Sequence, residues 1–215
     1  MRIYAVADVH SKQEKFEIIK SNINNLKPDV LVIAGDITNY FSPDIFIKQL
    51  NELNIPILAV RGNADIKKVD NLLFSYSNTI ALGLIESVSI NDIIFTGLSG
   101  AIPFPFYSII CLKEKKAFKK IEKITNSNSI LVVHPPPRGT LDNVGKKFCS
   151  GSIKLRNFIR KYQPGLVICG HVHENAGFEY INKTLVVNCS MNKYYNGAII
   201  EFKNKIKPIV KMVSI

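Results

Sequence analysis

"ICGHVHEN", residues 168–175, joins an apolar run to a glycine and two histidines one residue apart. The chain has 215 residues and only four histidines, so half of them stand within three positions. The run that leads into them, "GLVIC" at 165–169, is continuous rather than alternating. That pattern suits a strand buried on both faces. In α/β sheets, ligands bind beyond the carboxyl ends of such strands. His171 and His173 therefore stand where a parallel-sheet protein carries its chemistry.

Four other runs share this character: "IYAVA" at 3–7, "VLVIA" at 30–34, "PILAV" at 56–60 and "SILVV" at 129–133. Each also stops at a polar cluster. The first ends at "DVH" (Asp8, His10), the second at "GDITN" (Gly35, Asp36), the third at "RGNAD" (Arg61, Gly62, Asn63, Asp65) and the fourth at "HPPPRG" (His134, Arg138). Helical stretches lie between them. "SKQEKFEIIKSNINNL" opens with Ser11 and Glu14 in capping-box spacing and should run to about Leu26, before Pro28. "SPDIFIKQLNEL" offers Ser42 as N-cap and Pro43 at the first helical position. "SGSIKLRNFIRKYQP" supplies another helix, ending before Pro164. Strand–helix–strand alternation predicts a βαβ core with parallel strands. Residues 84–97 predict a hairpin turning at Asn91-Asp92, and the C-terminal part predicts hairpins turning near Asn182-Lys183 and Lys203–Lys205. The expected product is one mixed α/β domain over 1–215, with two sheets and helices packed outside.

The composition, 47% hydrophobic and 21% charged, is that of an ordinary globular chain. The formal net charge of +11 favours phosphate-bearing partners. Much of the excess is local. "LKEKKAFKKIEK", 112–123, places Leu112, Ala117, Phe118 and Ile121 at helical spacing and reads as an amphipathic helix with a solvated basic face. Its lysines are not interleaved with aromatics, as in a single-strand binder. The four cysteines form no Cys-x-x-Cys pair, which points to reduced thiols. The chain opens without a signal-peptide pattern, and no apolar run reaches membrane-spanning length. The expectation is a soluble, cytoplasmic protein with no membrane partner.

Singly, each polar cluster has a structural explanation as a turn or a satisfied strand end. Jointly they do not, because all four histidines of the chain stand at these strand ends. Imidazole nitrogens with carboxylate and amide oxygens suit Zn²⁺, Fe, Mn²⁺ or Ni²⁺. Seven such donors exceed the needs of one ion and suit two ions about 3.5–4 Å apart that share a carboxylate.

The ordered set D-x-H, G-D, G-N, H, G-H-x-H over residues 8–173 resembles the calcineurin-like metallophosphoesterase superfamily. The short length, "HPPPRGTLD" and the "CGHVHE" ending are similar to its compact single-domain phosphodiesterase branch. The resemblance implies a four-layer α/β/β/α sandwich with two mixed sheets flanked by helices. It implies that Asp8, His10 and His173 bind one metal, that Asn63, His134 and His171 bind a second, and that Asp36 bridges them. The implied cofactors are two divalent ions, Mn²⁺ first, with Fe, Zn²⁺ and Ni²⁺ as alternatives. Asn63 is implied to touch both a metal and the phosphate. Arg61 and Arg138 are candidates for phosphate oxygens, since a guanidinium meets them bidentately. The N–H groups of residues 150–152, opening a helix, are candidates for an anion. "GLSGAIPFPFYSII", 97–110, is a candidate pocket wall, with Phe104, Phe106 or Tyr107 stacking on a base.

One position departs from the family pattern. Many members read Gly-Asn-His, and that histidine is assigned as the general acid; here Ala64 stands in its place. No spare histidine replaces it, so the proton must come from elsewhere, with Asp65 or metal-bound water as candidates. The leading expectation is a metal-dependent phosphodiesterase, or a phosphatase of broad range, acting on a small phosphoester such as a nucleotide. Two alternatives stand beside it. One is a nuclease, for which the basic charge would help hold nucleic acid. The other is a non-catalytic scaffold, as the retromer subunit of this superfamily is. Metal identity, natural substrate and oligomeric state stay open.

Overall fold

The computed structural model describes residues 1–100, 117–145, 148–203 and 208–215. The five apolar runs form strands β1 (Arg2–Val6), β2 (Val30–Ala34), β3 (Ile57–Val60), β7 (Ser129–Val133) and β10 (Leu166–Cys169). They divide between two sheets. In the first, β1, β2, β3 and β4 (Thr79–Ala81) run parallel. β13 (Tyr195–Glu201) and β14 (Ile209–Ser214) add antiparallel strands on the β1 side. In the second, β6 (Ile93–Leu98), β7, β10 and β12 (Thr184–Asn188) run parallel. β5 (Val88–Ile90) and β11 (Gly177–Ile181) close its edges antiparallel. β8 (Asn143–Val144) and β9 (Phe148–Cys149) form a small separate hairpin.

Side chains alternate across each strand, so each strand feeds two cores. Ile3, Ala5, Val32, Leu58 and Val60 of the first sheet meet Phe95, Ile130, Val132, Ile168 and Val187 of the second, and this core lies between the sheets. Tyr4, Val6, Leu31, Ile33 and Ala59 face outward, onto Phe16 and Ile19 of α1 (Gln13–Leu26), Phe46, Ile47 and Leu50 of α2 (Pro43–Asn51), and Val69 and Leu73 of α3 (Lys68–Phe74). On the far side, Leu131, Val133, Val167, Cys169 and Val186 pack on Phe118 and Ile121 of α4, described over 117–121, and on Leu155, Phe158 and Ile159 of α5 (Ile153–Tyr162). The order is helices, sheet, sheet, helices, the expected four-layer sandwich. Both predicted turns at Asn91-Asp92 and Asn182-Lys183 form; Asn91, Asp92 and Asn182 take the left-handed backbone such two-residue turns demand.

Some local readings need correction. Ser11 caps nothing: α1 starts at Gln13 with Lys12 as its N-cap, and Ser11 Oγ is buried without a partner. Ser11 is instead drawn into the β1–α1 loop, with φ 54° and its N–H on the carbonyl of Ile37. Ser42 does precede Pro43 at the start of α2, but its side chain makes no capping bond. Ser152 does cap α5, accepting from Leu155 N at 3.0 Å. The turn within Lys203–Lys205, the first part of the 112–123 helix, and Phe104, Phe106 and Tyr107 lie outside the described residues. Among the described residues Cys149, Cys169 and Cys189 are free thiols, and no helix is long and apolar enough to cross a membrane.

Candidate metal centre

The carboxyl ends of β1, β2, β3, β7 and β10 come together at one edge of the sandwich. The loops there are zipped by backbone bonds. Asp8 N donates to Gly35 O, His10 N to Asp36 O and Ser11 N to Ile37 O, at 2.9–3.1 Å. Gly170 N donates to His134 O at 2.9 Å, and Ala7 N to Cys189 O at 3.1 Å, which ties the first sheet to the second. Asp8, His10, Asp36 and His171 all have positive φ, from 49° to 74°. Four strained, non-glycine residues in one cluster mark a constrained functional site.

The seven expected ligand residues all converge. Donor atoms of Asp8, His10 and His173 lie within 4.8 Å of one another, as do those of Asp8, Asp36 and His134. His134 Nε2 is 3.0 Å from Asn63 Oδ1 and 3.3 Å from His171 Nδ1. Asp36 Oδ2 stands 3.8 Å from His10 Nε2 and 3.4 Å from His134 Nε2, between the two halves of the cluster. Each half draws donors from both sheets: Asp8 and His10 meet His173, while Asp36 and Asn63 meet His134 and His171.

The donors fit cations rather than each other. Asp8 Oδ2 accepts the His171 N–H at 3.1 Å, but the fully buried Oδ1 accepts nothing and lies 3.3 Å from His173 Nε2. A buried carboxylate oxygen left without a donor costs free energy unless a cation compensates it. His134 Nδ1 lies 2.9 Å from the carbonyl of Ala34, which can only accept, so the proton is on Nδ1 and Nε2 turns to the cluster. The electrostatics agree. Burial opposes ionisation of Asp8, yet His173 and His134 hold its carboxyl well below the usual range. Burial lowers His10 and His171, which favours the neutral imidazole that a metal needs. Burial would lower His134 too, but Asp36 and Asp8 raise it to about 9. In metal-free protein a proton thus stands where a cation would.

Two glycines are required by close approach. A Cβ on Gly35 (φ 90°) would fall 2.5–2.8 Å from the His134 side chain, and one on Gly62 would fall 2.2 Å from Asp36 Oδ1. The glycines of Gly-Asp and Gly-Asn thereby admit the neighbouring ligand.

The remaining sequence candidates have other duties. Asp65 is corrected from an acid to a brace. Its carboxylate accepts from Ile37 N, Thr38 N, Thr38 Oγ1 and Gly62 N at 2.7–3.1 Å, pinning the Asp36 loop to the Asn63 loop. Burial pushes its carboxyl up, while those four donors oppose the shift. Arg61 is also corrected: its Nε pairs with Asp70 at 2.9 Å and its Nη1 reaches the Asp65 carbonyl, so the guanidinium is held by the scaffold. Arg138 donates to the Cys149 carbonyl. The N–H groups of 150–152 are taken by Asp142 O, Asp142 Oδ2 and Pro136 O, so they offer no anion site.

Sequence reasoning missed the residues that hold the ligand loops. Asn188 Nδ2 donates to Val172 O at 2.8 Å, and Asn192 Nδ2 to His173 O at 2.6 Å, so two asparagines fix the His-x-His segment. Lys15 Nζ, from α1, donates to Asp8 O and to Met191 O. The only signal for the asparagines was their position at the end of β12 (Asn188) and just beyond it (Asn192), β12 being another parallel strand ending at the same edge.

Comparison with known proteins agrees with this architecture. A family model described as calcineurin-like phosphoesterase matches residues 1–175. An uncharacterised protein of Methanocaldococcus jannaschii is 30% identical over 206 residues, which cover 91% of this chain and 90% of that one. A dimetal phosphatase from Danio rerio superposes with TM-score 0.71 at 11% identity, over 100% of this chain and 99% of that one. A structure described as an archaeal phosphodiesterase gives TM-score 0.59 at 18% identity over the whole of both chains. At such identities the structural likeness speaks for the fold.

Proposed function

The chain belongs to the calcineurin-like phosphoesterase family, and we propose that it is a phosphodiesterase that cleaves small phosphoesters at a two-metal centre. The observation that supports this most is the placement of Asp36 Oδ2 between a histidine of each half, 3.8 Å from His10 and 3.4 Å from His134. Asp8, His10 and His173 would hold one ion, Asn63, His134 and His171 the other, and Asp36 both; Mn²⁺ is our choice among Mn²⁺, Fe, Zn²⁺ and Ni²⁺. When bound, such a pair lowers the pKa of water and neutralises charge on phosphoryl oxygens. The chain's own residues do the rest. Asn63, exposed at the mouth, reaches phosphate, while Arg61 and Arg138 both donate to backbone carbonyls of the scaffold. Asp65 and Lys15 keep the loops in place.

The test is hydrolysis of bis-p-nitrophenyl phosphate by metal-stripped protein, with and without added Mn²⁺. Turnover that depends on Mn²⁺ and vanishes in His171→Ala is expected. Folded, metal-loaded protein that leaves the diester intact would refute the reading and favour a scaffold.

A further inference from the structure

We propose that Tyr40 donates the proton that the leaving group needs, the task the family pattern gives to the side chain after Asn63. This rests on the phosphodiesterase reading above. Ala64 has no proton to give, and its backbone N–H is spent on Asp36 Oδ1 at 2.7 Å. Tyr40 arrives at the same place from another loop. Its hydroxyl donates a long hydrogen bond, 3.3 Å, to the carbonyl oxygen of Asn63, which belongs to the peptide joining Asn63 to Ala64, and a leaving oxygen arriving there competes for the same proton. Donation from 40 thus reaches the stretch from which donation at 64 is absent.

The loop makes this placement a consequence of the site itself. Tyr40 follows Asp36 by four residues, and Asp65 clamps the intervening Ile37 and Thr38. Asn39 Oδ1 accepts the Phe41 N–H at 3.3 Å and turns the chain beyond them. Tyr40 itself is 61% exposed, so its side chain is accessible from solvent. Asp65, Arg61 and Lys15, the other proton-bearing groups described at this edge, are each held by the scaffold. Asp65 accepts four hydrogen bonds, Arg61 is paired with Asp70, and Lys15 is bonded to two carbonyls. Every histidine belongs to the ligand set.

A tyrosine hydroxyl is an established kind of general acid. A water oxygen forms the new bond to phosphorus. The bond to the leaving oxygen breaks, its electron pair passes to that oxygen, and the Tyr40 proton follows. The proton released by the attacking water restores the hydroxyl.

The experiment compares two diesters in wild type and Tyr40→Phe. p-Nitrophenolate leaves without help, so bis-p-nitrophenyl phosphate should be hydrolysed within about twofold of wild type. Diphenyl phosphate, with a more basic leaving group, should lose about 10²-fold or more. Bound metal, by elemental analysis, and affinity for inorganic phosphate, by calorimetry, should be unchanged. Equal losses on both esters, no loss on diphenyl phosphate, or a fall in metal or phosphate binding would each overturn Tyr40 as the donor. Metal-loaded wild type that cleaves neither ester overturns the phosphodiesterase reading instead, and the role of Tyr40 with it.

Discussion

His134 gives its Nδ1–H to the carbonyl of Ala34 across 2.9 Å, one strand end bonding to the next sheet's. The ring is thereby fixed with Nε2 toward Asp36, Asn63 and His171. Metal-free protein pays for this with pH sensitivity. His134 is raised in the fold, so the stability it contributes is complete below about pH 6.5 and fades as pH climbs through about 9. Asp8 is depressed, so its contribution is present above about pH 3.8 and is lost on acidification below that. The melting temperature of chelator-treated protein should fall between pH 6.5 and 9. Mn²⁺-loaded protein should hold its midpoint there, because the ion replaces the proton. Parallel profiles in thermal melts would contradict the account.

Lys15 bonds the Asp8 carbonyl to the Met191 carbonyl from outside the ligand set. Outer supports of this kind typically contribute 10–100-fold in metal affinity. Lys15→Met should weaken Mn²⁺ binding by about that factor in titration calorimetry, while the protein stays folded. Unchanged affinity would show that the Asp8 loop holds itself.

Gly62→Ala would set a methyl 2.2 Å from Asp36 Oδ1 and 2.4 Å from Asp36 N. Since one of these is backbone, the Asp36 loop must move. Loss of bound metal and of most hydrolysis is expected. Gly145→Ala is the control: its Cβ meets nothing within 4 Å, although φ is 55°. It should cost only the strain of a left-handed alanine, about 1–2 kcal/mol, and keep its metal.

Asp65→Asn replaces an acceptor of four hydrogen bonds with a side chain that can accept on one oxygen only. A lower melting temperature is expected, with hydrolysis of bis-p-nitrophenyl phosphate and of diphenyl phosphate falling by the same factor. A selective loss on diphenyl phosphate would restore Asp65 as an acid and displace Tyr40.

The sequence carried the scaffold well because the buried parallel strands read as unbroken apolar runs, and because each donor stands directly after one. That local signal was enough for β1, β2, β3, β7 and β10 and for all seven converging residues. What it hid was what depends on tertiary partners. Ser11 and Glu14 had the spacing of a cap, but Ser11 was claimed by Ile37 across the sheet. Asp65 and Arg61 looked like reactive groups beside Asn63; their partners, Thr38 and Asp70, come from other segments. Asn188, Asn192 and Lys15 act through backbone carbonyls, and nothing in a linear pattern announces such bonds.

Each half of the donor cluster spans both sheets, and this shapes the life history of the protein as well as its chemistry. Ions held there would rivet the two halves of the sandwich at their open edge. Acquiring metal would then be the closing step of assembly, and a chelator would work as a local denaturant. Supply of the ion in the cell would set not only how fast the protein works but how long that edge stays shut.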